Sequence, residues 1–229
     1  MIITGNKVQN RKFKFKLKIN GNFLERCSFY KYLGLNFDEN LNWKIHIDYV
    51  SKKISKMCGI VSKLRHCVDI EILKTVYYAL GYSYLRYGNI AWGNATKTTL
   101  EPLKKLQNRI IKIMTFAPFG RVDLEPVYLD LKILGLPELH FLEKAKFMHK
   151  YHNRKLPSLF NNYFETNQTV SHSYNLRRIN YFRPILSNYA EKMIKHNGLA
   201  IWNSIPEEIK NIPNIKSFAY RLKKDILLV

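Results

Sequence analysis

The residues of this chain whose types and spacing could do chemistry are its cations, and that chemistry is the holding of phosphate. Lys52, Lys53, Lys56, Lys63 and Arg65 crowd one stretch, and Lys104, Lys105 and Arg109 another. Ammonium and guanidinium groups pair with phosphates, and tyrosine or phenylalanine set among them can stack on bases. The acidic residues do not gather in the same way. A two-metal centre needs carboxylates placed together, and the chain holds no Asp-Asp pair: Asp38, Asp48, Asp69, Asp123, Asp130 and Asp225 are scattered. Asp38-Glu39 comes nearest and reads as a solvated turn. There is no Gly-x-x-x-x-Gly-Lys-Ser/Thr loop and no Gly-x-Ser-x-Gly elbow. Cys58, His66 and Cys67, or His149 and His152, lack the two ligand halves that zinc needs. Cys58 and Cys67 read as buried small hydrophobes, and the two histidines as surface or half-buried groups.

Charge supports the phosphate reading. Among 229 residues, 38 Lys and Arg face 17 Asp and Glu, a net charge of +21. The excess is +5 over residues 1–42, +9 over 43–118 and +7 over 119–229, so it is a property of the whole surface rather than of a tail. A polyanion is the natural partner of such a surface rather than a small-molecule substrate; a basic protein with no specific partner and, more weakly, an acidic membrane surface are the alternatives. A hydrophobic content of 46% is that of a folded protein. No apolar run approaches the roughly 20 residues of a membrane helix. Met1-Ile2-Ile3-Thr4-Gly5-Asn6-Lys7 is not a secretory signal. Three cysteines suit a reduced compartment, so an intracellular location, nucleus or cytoplasm, is expected.

The elements that must position these cations follow from periodicity. Lys12 to Ile19 alternates cationic and apolar residues, as a strand does, and Asn20-Gly21 is a hairpin-turn pair. Asn22 to Cys27 is the return strand, and a third strand runs from Tyr32 to Phe37. From Lys44 to Arg65 the period becomes helical, with Ile47, Val50, Ile54, Met57, Val61 and Leu64 in one stripe. A second helix spans about Asp69 to Tyr84, with Asp69 as N-cap and Leu73, Val76, Tyr77, Leu80 and Tyr84 inward. A third starts near Thr99, keeps Pro102 in its first turn and turns Leu103, Leu106, Ile110 and Ile113 inward. Ala117-Pro118-Phe119-Gly120 marks a boundary. Leu136 to about Asn153 is helical, with Leu139, Leu142, Ala145 and Met148 inward. A short helix follows near Asn188 to His196, Trp202 to Pro206 breaks it, and a last helix covers about Ser217 to Leu228. The expected fold class is α+β, predominantly α. A small antiparallel β-element at 1–42 precedes a helical domain at 43–118 and a helical C-terminal region at 119–229, irregular over 161–187.

Several runs carry a family likeness. Asn20-Gly21 with Cys27-Ser28-Phe29-Tyr30-Lys31-Tyr32-Leu33-Gly34 resembles the stretch leading into the primer-grip hairpin of reverse transcriptases from non-LTR (LINE-type) retrotransposons. Leu41-Asn42-Trp43-Lys44-Ile45-His46-Ile47 is similar to the start of their thumb. Tyr77-Tyr78-Ala79-Leu80, Tyr87-Gly88-Asn89-Ile90-Ala91-Trp92-Gly93-Asn94 and Leu103-Lys104-Lys105-Leu106-Gln107-Asn108-Arg109 resemble the thumb segments that follow. Trp202-Asn203-Ser204-Ile205-Pro206-Glu207-Glu208-Ile209 and Ser217-Phe218 resemble the end of such a reading frame.

The resemblance implies an ancestral RNA-directed DNA polymerase. It implies a primer-grip turn at Tyr32, Leu33 and Gly34, and a thumb that follows an RNA–DNA hybrid or duplex with little regard to sequence. The family's palm, with its aspartates and Mg²⁺, has no counterpart in these motifs. The chain is therefore expected to be a truncated reverse-transcriptase-like protein that binds nucleic-acid backbone, with no cofactor of its own; Mg²⁺ belongs to a complete polymerase. Two alternatives stay open: an incomplete reading of a gene for an active polymerase, and a non-functional or protein-interaction remnant.

Overall fold

The computed structural model describes residues 18–25, 27–118, 120, 122–164 and 194–227. The protein is mostly helical, with small antiparallel sheets ahead of the helices. β1 (Lys18–Ile19) and β2 (Asn22–Phe23) pair around Asn20 and Gly21, both at positive φ, which is the type I′ geometry that this pair favours. The return strand stops at Phe23 rather than at Cys27, and most of the alternating Lys12–Ile19 run lies outside the described residues. The expected single strand from Tyr32 to Phe37 is instead a second hairpin. β3 (Phe29–Tyr32) and β4 (Leu35–Asp38) pair from Phe29↔Asp38 to Tyr32↔Leu35. Leu33 and Gly34, at φ +46° and +78°, form its two-residue turn. The two hairpins are separate sheets, not one.

Asp38 is buried, not solvated. Its carboxylate accepts the backbone N–H groups of Asn40 (3.1 Å), Asn42 (3.1 Å) and Trp43 (2.8 Å). These bonds hold the turn that launches α1 (Lys44–Leu64), a helix about 30 Å long by its rise per residue. Its apolar stripe is the expected one: Ile47, Val50, Ile54, Met57 and Val61 are buried and Leu64 packs at the edge of the core.

The second helical segment departs from regular periodicity. α2 (Ile70–Val76) is capped by Asp69, whose carboxylate accepts from the Ile72 N–H at 2.9 Å. It passes into a π-helical turn at Tyr77–Tyr82 and then into α3 (Ser83–Arg86). The wider turn shifts the inward row to Leu73, Tyr77, Gly81 and Leu85. Leu80 and Tyr84, expected inward, are 44% and 36% exposed. Gly81 faces Met57 of α1, whose sulfur fills the space that a side chain would need.

α4 (Asn89–Trp92) leads to α5 (Lys97–Met114), which packs along α1. The Thr96 hydroxyl caps α5 by accepting from the Thr99 N–H at 3.3 Å. The helix thus starts before Thr99, and Pro102 falls beyond its first turn. Leu103, Ile110 and Ile113 are buried as expected, with Leu106 at the edge of the core. Gln107 is buried beside them and donates to the Tyr77 hydroxyl (2.9 Å) and the Leu134 carbonyl (3.0 Å).

α6 (Glu125–Asp130) and α7 (Leu136–His152) follow, and α7 turns Leu139, Leu142, Ala145 and Met148 inward. α8 (Ile194–Ser204) contains Trp202, so the chain breaks after Ser204 rather than at Trp202; residues 188–193 lie outside the described part. α9 (Glu207–Lys210) and α10 (Ile215–Ile226) complete it, with Asn214 capping α10. α8 and α10 both pack on α7. His149, expected near the surface, is buried there. It is stacked on Phe218 with centroids 4.3 Å apart, and its Nε2 lies 2.6 Å from the Ile212 carbonyl oxygen. Cys58 is buried, but Cys67 is exposed beyond the end of α1. Among the described residues no helix is long and apolar enough to cross a membrane.

Candidate nucleic-acid interface

Lys52, Lys56 and Lys63 are spaced by four and seven residues, which puts them on one face of α1, opposite its buried stripe. All three are exposed. Lys53 flanks this row and is partly covered by rings, its ammonium 5.6 Å from the Tyr49 centroid and 5.9 Å from that of Tyr84. Lys31 of β3 approaches the same Tyr49 ring to 5.7 Å. These are cation–π distances; they keep the charges near an aromatic surface without neutralising them. A shallow open depression of about 450 Å³ is lined by Tyr49, Lys52, Lys53, Ser55 and Lys56. None of the described ion pairs involves Lys31, Lys52, Lys53, Lys56 or Lys63.

The other candidate cations divide. Lys105 and Arg109 are one turn apart on α5 and exposed, and the Arg109 charge acts on Cys58 of α1. Burial raises the Cys58 thiol pKa, and Arg109 opposes the rise. Lys105 also reaches Glu101 at 3.9 Å. Lys104 stands one turn before Asn108, whose side-chain oxygen accepts from the Tyr128 hydroxyl of α6 at 2.8 Å. Lys104 therefore belongs to the α6 side. Arg65 is committed to structure. Its guanidinium lies 4.0 Å over Phe116 and donates to the Ile113 carbonyl at 3.4 Å, tying the end of α1 to the end of α5.

The hairpin tip stands at the other end of α1. Tyr32 and Leu33 are 59% and 70% exposed. Behind them the Tyr87 hydroxyl donates to the Leu33 carbonyl at 2.6 Å. The Tyr87 ring occupies the space beside Gly34: a Cβ there would lie 3.1 Å from its Cε1. Leu35 in turn fills the space beside Gly88, where a Cβ would lie 2.7 Å from its Cδ2. The Trp92 indole N–H donates to the Tyr87 carbonyl at 2.8 Å. Two sequence runs of the family likeness thus interlock. Lys31, Tyr49, Tyr84 and Tyr87 were absent from the sequence-derived set. Tyr49, one turn before Lys52 and Lys53, carried a local signal, whereas the other three take part through tertiary contacts.

A second polar cluster fastens the Gly88–Asn94 run to α7. Asn89 Oδ1 lies 2.7 Å from His140 Nδ1, and Asn94 Oδ1 lies 3.0 Å from His140 Nε2. The Lys144 ammonium donates to Asn94 Oδ1 at 2.7 Å. The His140 ring fills the space that the missing side chain of Gly93 leaves. Burial, then the charge of Lys144, pushes the His140 pKa down to about 3, and burial lowers Lys144 to about 8. The imidazole is therefore neutral at pH 7 and donates to one of its two facing amide oxygens at a time.

No protein-family model matches the chain, and no solved structure does. Its sequence is similar to the RNA-directed DNA polymerase from mobile element jockey of Drosophila funebris, 27% identical over 140 residues, which is 59% of this chain and 15% of that protein. The protein of the same name from Drosophila melanogaster is 24% identical over 121 residues, 51% of this chain and 13% of that protein. The chain thus aligns with only about 15% of the length of the curated relatives that it matches. These likenesses fit a partial reverse transcriptase of LINE type.

Proposed function

We propose that this chain holds the sugar-phosphate backbone of a nucleic-acid duplex or RNA–DNA hybrid, as a thumb with an adjoining primer-grip hairpin would. One observation carries the reading. Lys52, Lys53 and Lys56 of α1 and Lys31 of the hairpin gather around the half-buried Tyr49, Lys63 continues the exposed row of α1, and none of these lysines is in a described ion pair. Free lysines beside tyrosine rings serve phosphate and base stacking better than they serve folding. The relatives are named as RNA-directed DNA polymerases, which handle such duplexes. On this reading Lys105 and Arg109 extend the face from α5, and Tyr32, Leu33 and Gly34 form the turn that meets a strand end. Phosphate contacts carry no base information, so binding tolerates sequence.

The test is fluorescence anisotropy of a labelled RNA–DNA hybrid and a labelled DNA duplex across a KCl series. For Lys52/Lys53/Lys56→Ala on the DNA duplex, the slope of log affinity against log salt should fall by up to about 2.7 units, about 0.9 per lost phosphate contact. Equal slopes for wild type and variant would refute the reading.

A second reading rests on the apolar surface of the N-terminal hairpins, where Ile19, Phe23, Leu24, Phe29 and Tyr30 are exposed. Exposed apolar residues on two hairpins close in sequence can serve a protein contact. Association that is insensitive to salt would favour it.

A further inference from the structure

We infer that Lys31 is a phosphate-contacting residue of the proposed interface, and that Tyr87 is the positioning residue that aims it. The inference rests on the backbone-binding reading above, gives Lys31 a stated role in it and adds Tyr87.

A two-stranded hairpin has little stability of its own, so its direction must be set from outside. Its register settles which way Lys31 faces. Lys31 pairs with Asn36, and directly paired residues share one face of the ladder. Asn36 is buried against α1, with its N–H 3.4 Å from His46 Nδ1. That N–H leaves the outer edge of β4, and it is the Lys31 ammonium, 5.7 Å from the centroid of Tyr49 of α1, that puts the Lys31 side chain on the α1 side of the hairpin. A slip of one residue would turn it to the opposite face.

Tyr87 opposes such a slip at the point where it would begin. Its hydroxyl bonds the carbonyl of Leu33, a non-glycine residue in the left-handed region, and its ring closes over Gly34. Leu35 seated against Gly88 repeats the fit in reverse. The two contacts fix the tip in direction and in register. With the tip held, Lys31 and Lys53 approach the same Tyr49 ring, so a charge from the sheet joins the charges of the helix. Lys31 has a charge that no described ion pair uses, and Tyr87 has no cation to offer; its effect on binding must pass through the hairpin.

The experiment measures binding of the full chain to a labelled DNA duplex in the same salt series, for wild type, Lys31→Ala, Tyr87→Phe, Gly34→Ala and Lys31→Ala/Tyr87→Phe. Circular dichroism checks that helix content is unchanged. Lys31→Ala should lower the salt slope by about 0.9. Tyr87→Phe keeps the ring and loses only the hydroxyl, and it should give at least half of that drop. Gly34→Ala pushes on the Tyr87 ring from the hairpin side and should give the same drop through a second route. The double variant should be no lower than Lys31→Ala alone, because Tyr87 acts only through Lys31. A Tyr87→Phe slope equal to wild type, or a double variant whose losses add, would overturn the positioning role. A Lys31→Ala slope equal to wild type would overturn the inference while Lys52/Lys53/Lys56→Ala still lowers the slope. If that triple variant also matches wild type, the backbone-binding reading falls and takes this inference with it.

Discussion

Lysine does opposite work on two helices of this molecule. On α1, Lys52, Lys56 and Lys63 stand in water without a described ion pair, and Lys53 rests against tyrosine rings. On α7, Lys144 is buried against the side-chain oxygen of Asn94, and Lys146 shares the Glu143 carboxylate with Arg86. The aromatic residues divide in the same sense. Tyr30, Tyr32, Tyr84 and Tyr87 face solvent around the hairpin, while Trp202, Phe218 and His149 are sealed between α7, α8 and α10. The first region keeps its charges available, and the second spends its polar groups on holding helices together. Net charge is blind to this difference, because a buried lysine and a free one count alike.

The contrast can be broken by substitution, and the largest effects on folding belong to the C-terminal half. Trp202→Ala should cost about 3–5 kcal/mol, read as a lower urea midpoint, and should leave the salt slope of any surviving folded protein unchanged. A change in slope without a loss of stability would erase the distinction between the two regions. The His140 cluster should make stability depend on pH. The folded pKa of about 3 lies below the unfolded value near 6.5, so the unfolded chain binds the extra proton. Stability is then complete above pH 6.5 and falls as pH drops towards 3, by at most about 1.4 kcal/mol per pH unit. Thermal unfolding from pH 7 to pH 4 should show the slope, and His140→Gln should flatten it.

Asp38→Ala should cost about 1–3 kcal/mol, because three backbone N–H groups lose their shared acceptor. Chemical unfolding would measure it, and a neutral result would mean that the turn into α1 is held by Trp43 packing alone. The smallest effect on folding should come from Lys56→Gln. Its unfolding midpoint should match wild type while its DNA-duplex salt slope drops by about 0.9, which separates binding from stability within one residue.

Much of the helical frame was legible from spacing alone. The stripe from Ile47 to Val61 needs only the 3.6-residue period, and the Asp69 cap and the Asn20-Gly21 turn are local events. The errors have tertiary causes. A regular helix would turn Leu80 and Tyr84 inward; the π turn instead brings Gly81 against Met57, which is distant in sequence. Nothing in the residue type of Asp38 announces that three backbone donors converge on it and bury it. A surface or half-buried His149 is all that its own helix implies, because the partners that bury it, Trp202 and Phe218, come from helices later in the chain. The lysines of α1 were visible as a cluster, but their link to Lys31 depends on hairpin register and on Tyr87.

The π turn at Tyr77–Tyr82 acts as an angular offset between two parts of the chain. It delays the helix by about one residue, roughly 100° of rotation at 3.6 residues per turn, before the segment ending in Tyr87 and Gly88 begins. Removing a single residue there, such as the exposed Leu80, would let the helix run on regularly. Because the wide turn absorbs one extra residue, Tyr87 would keep its direction towards Gly34. The hairpin would keep its anchor, so this turn should tolerate the loss of one residue better than the regular turns on either side of it do.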